Sequence, residues 1–166
     1  MITIMNINDV VLDSIFFVNN GEIDLLTGTM APDRFNQLVN RDITIANRNH
    51  STLGVVSIKT NLHKFIGENA NLEAAELISK FENELVKLSF EIKKIFRDSD
   101  CICRVSKLGF WVFLNGQQAI TENWLSSRRT QEIPQYVEFG LCSWQEGESQ
   151  SSWYQRIDQL HFDNKG

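Results

Sequence analysis

Two residues of opposite charge lie close together in the sequence and could either bind a polar ligand or form a structural pair. Arg97 and Asp100 lie three positions apart, between a long helical pattern and a strand pattern. A guanidinium group can donate two hydrogen bonds to an anion such as a phosphate, and a carboxylate accepts hydrogen bonds from N–H groups. The alternative is structural, since a cation is favoured at any helix C-terminus and an exposed Arg–Asp pair contributes little. Spacing alone leaves both interpretations open.

The thiol and imidazole groups give weaker signals. Cys101 and Cys103 share a face of one predicted strand, and Cys142 lies in what we expect to be a neighbouring strand. With His63 or His161 these thiols could bind zinc, but buried cysteine usually packs as a small apolar residue, so we expect no metal site. The three histidines have no evident Ser, Cys and carboxylate partners in the sequence, so nothing there supports a catalytic triad.

Composition restricts the class of protein. A chain of 166 residues, 42% of them apolar, is long enough for one domain with a sizeable core. The formal net charge of −5 lowers the expectation of nucleic-acid binding. No apolar run reaches the ~18 residues of a membrane span, and the first ten residues lack the basic region of a signal peptide. Three cysteines cannot form a closed disulfide framework, so we expect a reducing, cytoplasmic environment.

Hydrophobic periodicity predicts the elements that position these residues. The clearest is a helix over Ala74–Ile95, where apolar residues recur every three or four positions. Another helix begins at Pro32, and weaker helical patterns cover 118–129 and 151–164. Residues 1–23 fit either a helix or a strand. Strands are predicted at Leu53–Ile58, Cys101–Val105, Phe110–Leu114 and Tyr136–Ser143, with a tight turn at Ser106–Gly109.

This order of elements is typical of an α+β sandwich, in which helices pack on a mostly antiparallel sheet. Nucleotide cyclases, polymerase palms and RNA-recognition modules share the order, so fold alone does not decide the function. Phe110, Trp111 and Phe113 faintly resemble an RNA-recognition sheet, but the acidic balance and the lack of a basic-aromatic motif argue against that function. We expect the tryptophans to be core or interface residues. The four tryptophans are Trp111, Trp124, Trp144 and Trp153.

Four segments, in the same order, resemble the GGDEF diguanylate cyclase family. They are Asp24-Leu25-Leu26-Thr27-Gly28 with Phe35 (D-x-L-T-G), Arg97-Asp98-Ser99-Asp100 with Arg104 (R-x-x-D…R), Val137-Glu138-Phe139-Gly140-Leu141-Cys142 (V-S-I-G-V-A), and Arg156-Ile157-Asp158 with Phe162 and Lys165 (R-A-D…Y-x-A-K). The resemblance spans about residues 24–165. It implies a nucleotide-cyclase-like sandwich whose central, mostly antiparallel sheet has about five strands flanked by helices.

The family's catalytic positions are altered in this chain. Counting from Arg104, the residues in place of Gly-Gly-Asp/Glu-Glu-Phe are Ser106, Lys107, Leu108, Gly109 and Phe110. The strand expected to end in a metal-binding Asp ends instead at Ser57 and Lys59. Phosphoryl transfer needs a divalent metal on the triphosphate, and lysine cannot hold that metal. The resemblance therefore implies a degenerate, inactive site with no catalytic residue, metal or cofactor.

The resemblance also implies a separate binding site. In the family, R-x-x-D before the hairpin is the inhibitory site for cyclic di-GMP, and here those positions are Arg97 and Asp100. An arginine from the helix after the hairpin commonly completes that site, and here this arginine would be Arg128 or Arg129. We therefore expect an inactive signalling domain that binds cyclic di-GMP. The second possibility is a nucleotide-independent protein-binding module that presents Lys107 and Leu108 at the hairpin tip. The third is a residual cyclase.

The resemblance places the domain at residues 24–166. Residues 1–23 would then be an N-terminal extension, a linker or a dimerising segment. The family's last strand has no counterpart before Gly166. A protein partner in a bacterial signalling pathway, and a homodimer, are further expectations.

Overall fold

The computed structural model of the chain describes residues 6–97, 100–116 and 121–161. Phe162 and Lys165 of the closing motif lie outside the described residues, as do Asp98 and Ser99. The elements, in chain order, are α1 (Ile7–Ser14), α2 (Pro32–Asn49), β1 (Leu53–Thr60), α3 (Leu62–Glu68), α4 (Ala74–Ile95), β2 (Cys101–Ser106), β3 (Gly109–Asn115), α5 (Glu122–Arg128), β4 (Val137–Ser143), α6 (Gln150–Asp158) and a 3₁₀ turn (Gln159–His161).

The strands form one antiparallel sheet in the order β2-β3-β1-β4, which confirms the α+β fold class. The described residues contain four strands rather than about five. Met30 adds a single parallel bridge to Cys103 at the edge of β2, since Met30 N donates to Ile102 O at 2.8 Å. One bridge is too short to count as a fifth strand.

Two layers of helices bury both faces of the sheet. On one face, Val56, Ile58 and Val112 pack in a core with residues of α1, α3, α4 and α5. On the other, Val55 and Phe113 pack in a second core with residues of α2 and α6. Because both faces are covered, β1 reads as a continuous apolar run rather than an alternating one. The central strand β1 is therefore buried along most of its length.

Each predicted helix has a counterpart within the described residues, while 118–120 and 162–164 of the two weaker patterns lie outside them. Helix α3 is an additional helix that periodicity did not predict. Asn61 begins α3 by accepting a hydrogen bond from Lys64 N at 3.1 Å, and Leu62, Phe65 and Ile66 are buried. Seven residues are too few for a period of 3.6 to be distinctive.

Within the N-terminal segment, left undecided by its sequence pattern, Ile7–Ser14 form helix α1. Asn6 accepts a hydrogen bond from Asp9 N at 2.9 Å and begins the helix. Val11 and Ile15 are 0% and 3% exposed within the core that α4 lines. No helix within the described residues is both long and apolar enough to cross a membrane.

Candidate functional site

The D-x-L-T-G segment forms a closed loop around the carboxylate of Asp24. Asp24 Oδ2 accepts hydrogen bonds from Thr27 N at 2.9 Å and from Thr27 Oγ1 at 2.7 Å. Gly28 N donates to Asp24 O at 2.8 Å, and its φ of +74° is a conformation that favours glycine. The types of these motif residues are thus explained by the loop they build.

Arg104 connects that loop to the hairpin. Its Nη1 lies 3.1 Å from Asp24 Oδ1 and donates to Phe16 O at 2.7 Å, while its Nη2 donates to Lys107 O at 3.2 Å. The side chains of Arg104 and Asp24 are 0% and 1% exposed. Burial lowers the pKa of Arg104, and the charge of Asp24 opposes that shift. A buried charge requires such a partner, so this pair has a structural role.

The hairpin turn is docked on the body of the domain. Lys107 Nζ donates to Leu12 O at 2.9 Å and Asp13 O at 3.1 Å, at the C-terminal end of α1. Leu108 is half-buried against the core, and its carbonyl accepts from Thr60 N at 2.9 Å. The prediction that Lys107 and Leu108 project from the hairpin tip is therefore wrong. The unpaired carbonyls at a helix end attract a lysine ammonium, which draws the turn inward.

Gly109, which the resemblance aligns with a catalytic acidic position of the family, has an environment that accounts for the glycine. A Cβ at Gly109 would lie 3.0 Å from Ile58 O, a backbone atom of the paired strand. The hydroxyl of the nearby Ser106 is engaged within the hairpin, where its Oγ accepts a hydrogen bond from Leu108 N at 3.3 Å.

A cavity of about 540 Å³ lies where these segments meet. Of the predicted degenerate positions, it is lined by Ser57, Lys59, Ser106 and Gly109, and not by Lys107 or Leu108. The other lining residues include Asn36, Trp111, Tyr154, Asp158 and His161. Asp158 is the one carboxylate among the described lining residues, and no cluster of three or more potential metal ligands occurs in the part of the chain that the structure describes.

His161 at the end of the described chain closes one side of this cavity. Its Nε2 lies 2.8 Å from Ser57 Oγ, and its Nδ1 lies 3.6 Å from Glu138 Oε2. Burial lowers the pKa of His161, and the charge of Lys59 acts in the same direction, whereas Glu138 opposes it. No local sequence pattern predicts this cluster, because Ser57 and His161 are 104 positions apart.

Ser57, His161 and Glu138 are the residue types of a hydrolase triad, but their setting is structural. Ser57 is 4% exposed and lies within central strand β1, whose backbone pairs with β3 and β4 on either side. A triad also needs N–H donors aimed at the developing oxyanion, and the ladders engage the backbone on both sides of Ser57. The cluster therefore fastens the C-terminal turn to the sheet.

Arg97 and Asp100 form a compact turn between α4 and β2. Asp100 Oδ2 accepts from Arg97 N at 3.0 Å, and Asp100 N donates to Arg97 O at 2.9 Å. The side chain of Asp100 is 4% exposed, whereas that of Arg97 is 63% exposed, and Arg97 Nη2 lies 3.5 Å from Asp100 Oδ1. The pair is thus a buried carboxylate beside a solvent-accessible guanidinium.

Two further cavities meet at this pair. One of about 390 Å³ lies toward the D-x-L-T-G loop and is also lined by Arg34 and Lys93. The other, of about 160 Å³, lies toward α5 and is also lined by Phe96 and Trp124. Arg97 and Asp100 line both cavities. Sequence reasoning did not single out Arg34 or Lys93, and it expected Trp124 to be a core or interface residue. All three approach Arg97 only through the fold.

The two arginines expected to complete the site have different surroundings. Arg128 Cζ lies 5.2 Å from the ring centroid of Trp124, which lines the smaller of those cavities. Arg129 instead donates to Pro134 O at 2.6 Å and Val137 O at 2.8 Å. Arg129 lines neither of the two cavities at Arg97.

The cysteines are separated by the sheet order. Cys101 and Cys103 are on β2 and Cys142 is on β4, at opposite edges of the sheet, so the expectation of neighbouring strands is wrong. Burial raises the pKa of all three thiols. Cys103 and Cys142 are buried in the core beneath α2 and α6, as small apolar residues would be.

No protein-family profile and no curated protein sequence matches the chain. Solved structures do match, among them the GGDEF domain of DgcB from Caulobacter crescentus in complex with cyclic di-GMP. It has a TM-score of 0.72 and 15% identity, over 89% of this chain and 92% of that one. The chain has a GGDEF-like fold. The GGDEF domain of FimX from Pseudomonas aeruginosa matches at a TM-score of 0.69 and 16% identity, over 87% of this chain and 95% of that one.

A third GGDEF neighbour is the diguanylate cyclase SiaD in complex with its activator SiaC, also from Pseudomonas aeruginosa. Its TM-score is 0.66 at 15% identity, over 86% of this chain and 57% of that one. At such identities the similarity establishes the fold. The fold predicted from the four motif segments is therefore confirmed.

Proposed function

We propose that this chain is a cytoplasmic, bacterial GGDEF-like signalling domain that binds cyclic di-GMP at Arg97 and Asp100 and does not synthesise it. The observation that carries the proposal is the exposed guanidinium of Arg97, which lies beside a buried carboxylate at the junction of two cavities. The 63% exposure of Arg97 leaves its guanidinium accessible to a ligand. The DgcB neighbour was solved with cyclic di-GMP bound, which agrees with this ligand class.

The side chains at the site suit both parts of the ligand. Arg97 can donate paired hydrogen bonds to a phosphate or to the acceptor edge of guanine. Asp100 Oδ2 is occupied by Arg97 N, and Oδ1, at 3.5 Å from Arg97 Nη2, can accept from the N–H groups of guanine. Arg128 lies on the α5 side of the same site, next to Trp124.

A thermal melt tests this binding. Cyclic di-GMP should raise the Tm of the protein, because a ligand that binds only the folded state stabilises it. Arg97→Ala should lose the rise, and Arg48→Ala should keep it, since Arg48 is an exposed arginine elsewhere, on α2. No rise in the wild-type protein, or an equal rise in Arg97→Ala, would overturn the proposal.

The proposed lack of cyclase activity is supported by the cavity at the end of β1. Ser57, Lys59 and Gly109 line it where the family holds metal, and Asp158 is its one carboxylate among the described residues. Without a carboxylate pair to hold Mg²⁺, the charge on a triphosphate is not neutralised. Incubation of purified protein with GTP and Mg²⁺ should yield no cyclic di-GMP above the protein-free blank. Steady production would contradict this part of the proposal.

A second candidate function is self-association, and a set of exposed apolar side chains favours it. Phe16, Val18, Ile23 and Leu25 are 39–50% exposed on the loop between α1 and α2. Val18 and Leu25 are neighbours, since Leu25 N donates to Val18 O at 2.9 Å. Sedimentation should then show a dimer that Leu25→Asp dissociates. A wild-type monomer at every concentration would exclude this second candidate and leave the first unchanged.

A further inference from the structure

The two cavities that meet at Arg97 differ in chemical character, which suggests how one ligand divides between them. Taking the proposed function as its basis, we propose that a cyclic dinucleotide occupies both. Its phosphates bind in the larger cavity, beside Arg34 and Lys93, and one guanine lies against Trp124 in the smaller cavity. Arg34, Lys93 and Trp124 are then binding residues.

The larger cavity concentrates positive charge. Arg34, Lys93 and Arg97 line it, and Asp100 is the one carboxylate in its described lining. This local excess of cations occurs in a chain whose net charge is −5. Within the described residues, neither Arg34 nor Lys93 forms an ion pair with a carboxylate. Cations brought together in this way are suited to phosphate groups.

The smaller cavity has an aromatic wall. The rings of Phe96 and Trp124 have centroids 5.9 Å apart and are tilted by 50°. Trp124 is half-buried, whereas Trp111, Trp144 and Trp153 are at most 7% exposed, so the expectation of a core or interface role fits those three better. A partly exposed tryptophan in a concave site can stack a base, and every base offers a flat face to it.

The fold positions these groups around one ligand. Lys93, in the last turn of α4, precedes Arg97 by four residues, and Arg34 lies in the first turn of α2. Trp124 comes from α5 on the opposite side of Arg97. In a cyclic dinucleotide the phosphates belong to the sugar–phosphate ring and the bases project from that ring. A single molecule can therefore place a phosphate on one side of Arg97 and a base on the other.

Calorimetric titration of the full chain with cyclic di-GMP tests the cationic half. Arg34→Ala and Lys93→Ala should each weaken binding by roughly tenfold, as expected when a charged hydrogen-bond donor to phosphate is lost. Each variant should also reduce the dependence of affinity on salt concentration. Arg48→Ala is the matched control and should change affinity less than about twofold.

Tryptophan fluorescence tests the aromatic half. Cyclic di-GMP should quench emission from the wild-type protein, and Trp124→Phe should remove that quenching while it retains binding, because phenylalanine can still stack. Trp124→Ala should weaken binding by roughly tenfold. Circular dichroism should show that each variant is folded.

The outcomes separate this inference from the proposed function. If the wild-type protein binds no cyclic di-GMP, both fail. The wild-type protein could instead bind cyclic di-GMP and require Arg97, while the Arg34, Lys93 and Trp124 variants all keep wild-type affinity and Trp124 emission is unchanged. In that case the divided binding mode fails and the proposed function stands.

Discussion

The carboxylate of Asp24 and the guanidinium of Arg104 form a buried ion pair, with Arg104 Nη1 at 3.1 Å from Asp24 Oδ1 across 80 positions of sequence. Both belong to motif segments that resemble the GGDEF family. Their contact joins the D-x-L-T-G loop to the hairpin, and Arg104 also binds the carbonyl of Phe16 from the N-terminal segment. These motif residues therefore hold three segments together, a role that does not depend on catalysis.

Asp24→Asn should lower the free energy of unfolding by about 3 kcal/mol or more, because it leaves a buried guanidinium without a counter-charge. Urea denaturation measures this loss. The matched control, Asp13→Asn, changes an exposed carboxylate and should cost no more than about 0.5 kcal/mol. Equal stability of the two variants would show that the buried pair is not what joins these segments.

Lys107→Met should loosen α1 by removing the ammonium that caps the carbonyls of Leu12 and Asp13. We expect a cost of about 1 kcal/mol, with faster hydrogen exchange in α1. Lys64→Met, at an exposed lysine on α3, should leave exchange in α1 unchanged. Unaltered protection of α1 in Lys107→Met would mean that the hairpin turn does not fasten the helix.

Gly109→Ala should destabilise the protein by about 1–3 kcal/mol, since the added Cβ would lie 3.0 Å from the backbone oxygen of Ile58. Gly67→Ala is the matched control, because nothing lies within 4 Å of its added Cβ and it sits in α3. That change should be neutral or stabilise by up to about 1 kcal/mol. If Gly109→Ala is as stable as the wild-type protein, close strand packing does not explain the glycine.

His161 should make stability depend on pH. Burial lowers its folded-state pKa, so the unfolded chain binds the proton more readily. The stabilisation is complete above the unfolded pKa of about 6.5 and is lost as the pH falls through the lowered folded value. His161→Gln should therefore cost less unfolding free energy at pH 5 than at pH 8. A cost that is equal at both pH values, or larger at pH 5, would contradict this.

Periodicity and the four motif segments were sufficient to predict the four observed strands, the long helix and the GGDEF-like fold, but not the order of the strands in the sheet. Each of these depends on a repeating pattern or on a run of residues close in sequence. Helix α3 is too short for its period to be recognised, and the pattern of α1 fitted two conformations. The sequence pattern singled out Arg97 as a candidate binding residue, whereas its exposure beside a buried Asp100 is known only from the structure.

The contacts that sequence did not predict join residues far apart in the chain. His161 meets Ser57 only because the C-terminal turn packs on the sheet, where Leu160 lies against Gly140. Lys107 was expected at an exposed tip because its partners on α1 were unknown. Trp124 was expected to pack, and its position beside Arg97 depends on how α5 meets the end of α4.

The most direct test is the dissociation constant for cyclic di-GMP, measured by calorimetry on the wild-type protein, Arg97→Ala and Arg48→Ala. We predict micromolar or tighter binding by the wild-type protein and by Arg48→Ala, with affinity reduced at least tenfold in Arg97→Ala because charge-assisted hydrogen bonds are lost. Cyclic di-AMP should bind more weakly, because adenine lacks the adjacent N–H groups of guanine, from which Asp100 would accept hydrogen bonds. No heat from the wild-type protein, or equal affinity in all three proteins, would contradict a receptor that uses Arg97 and Asp100.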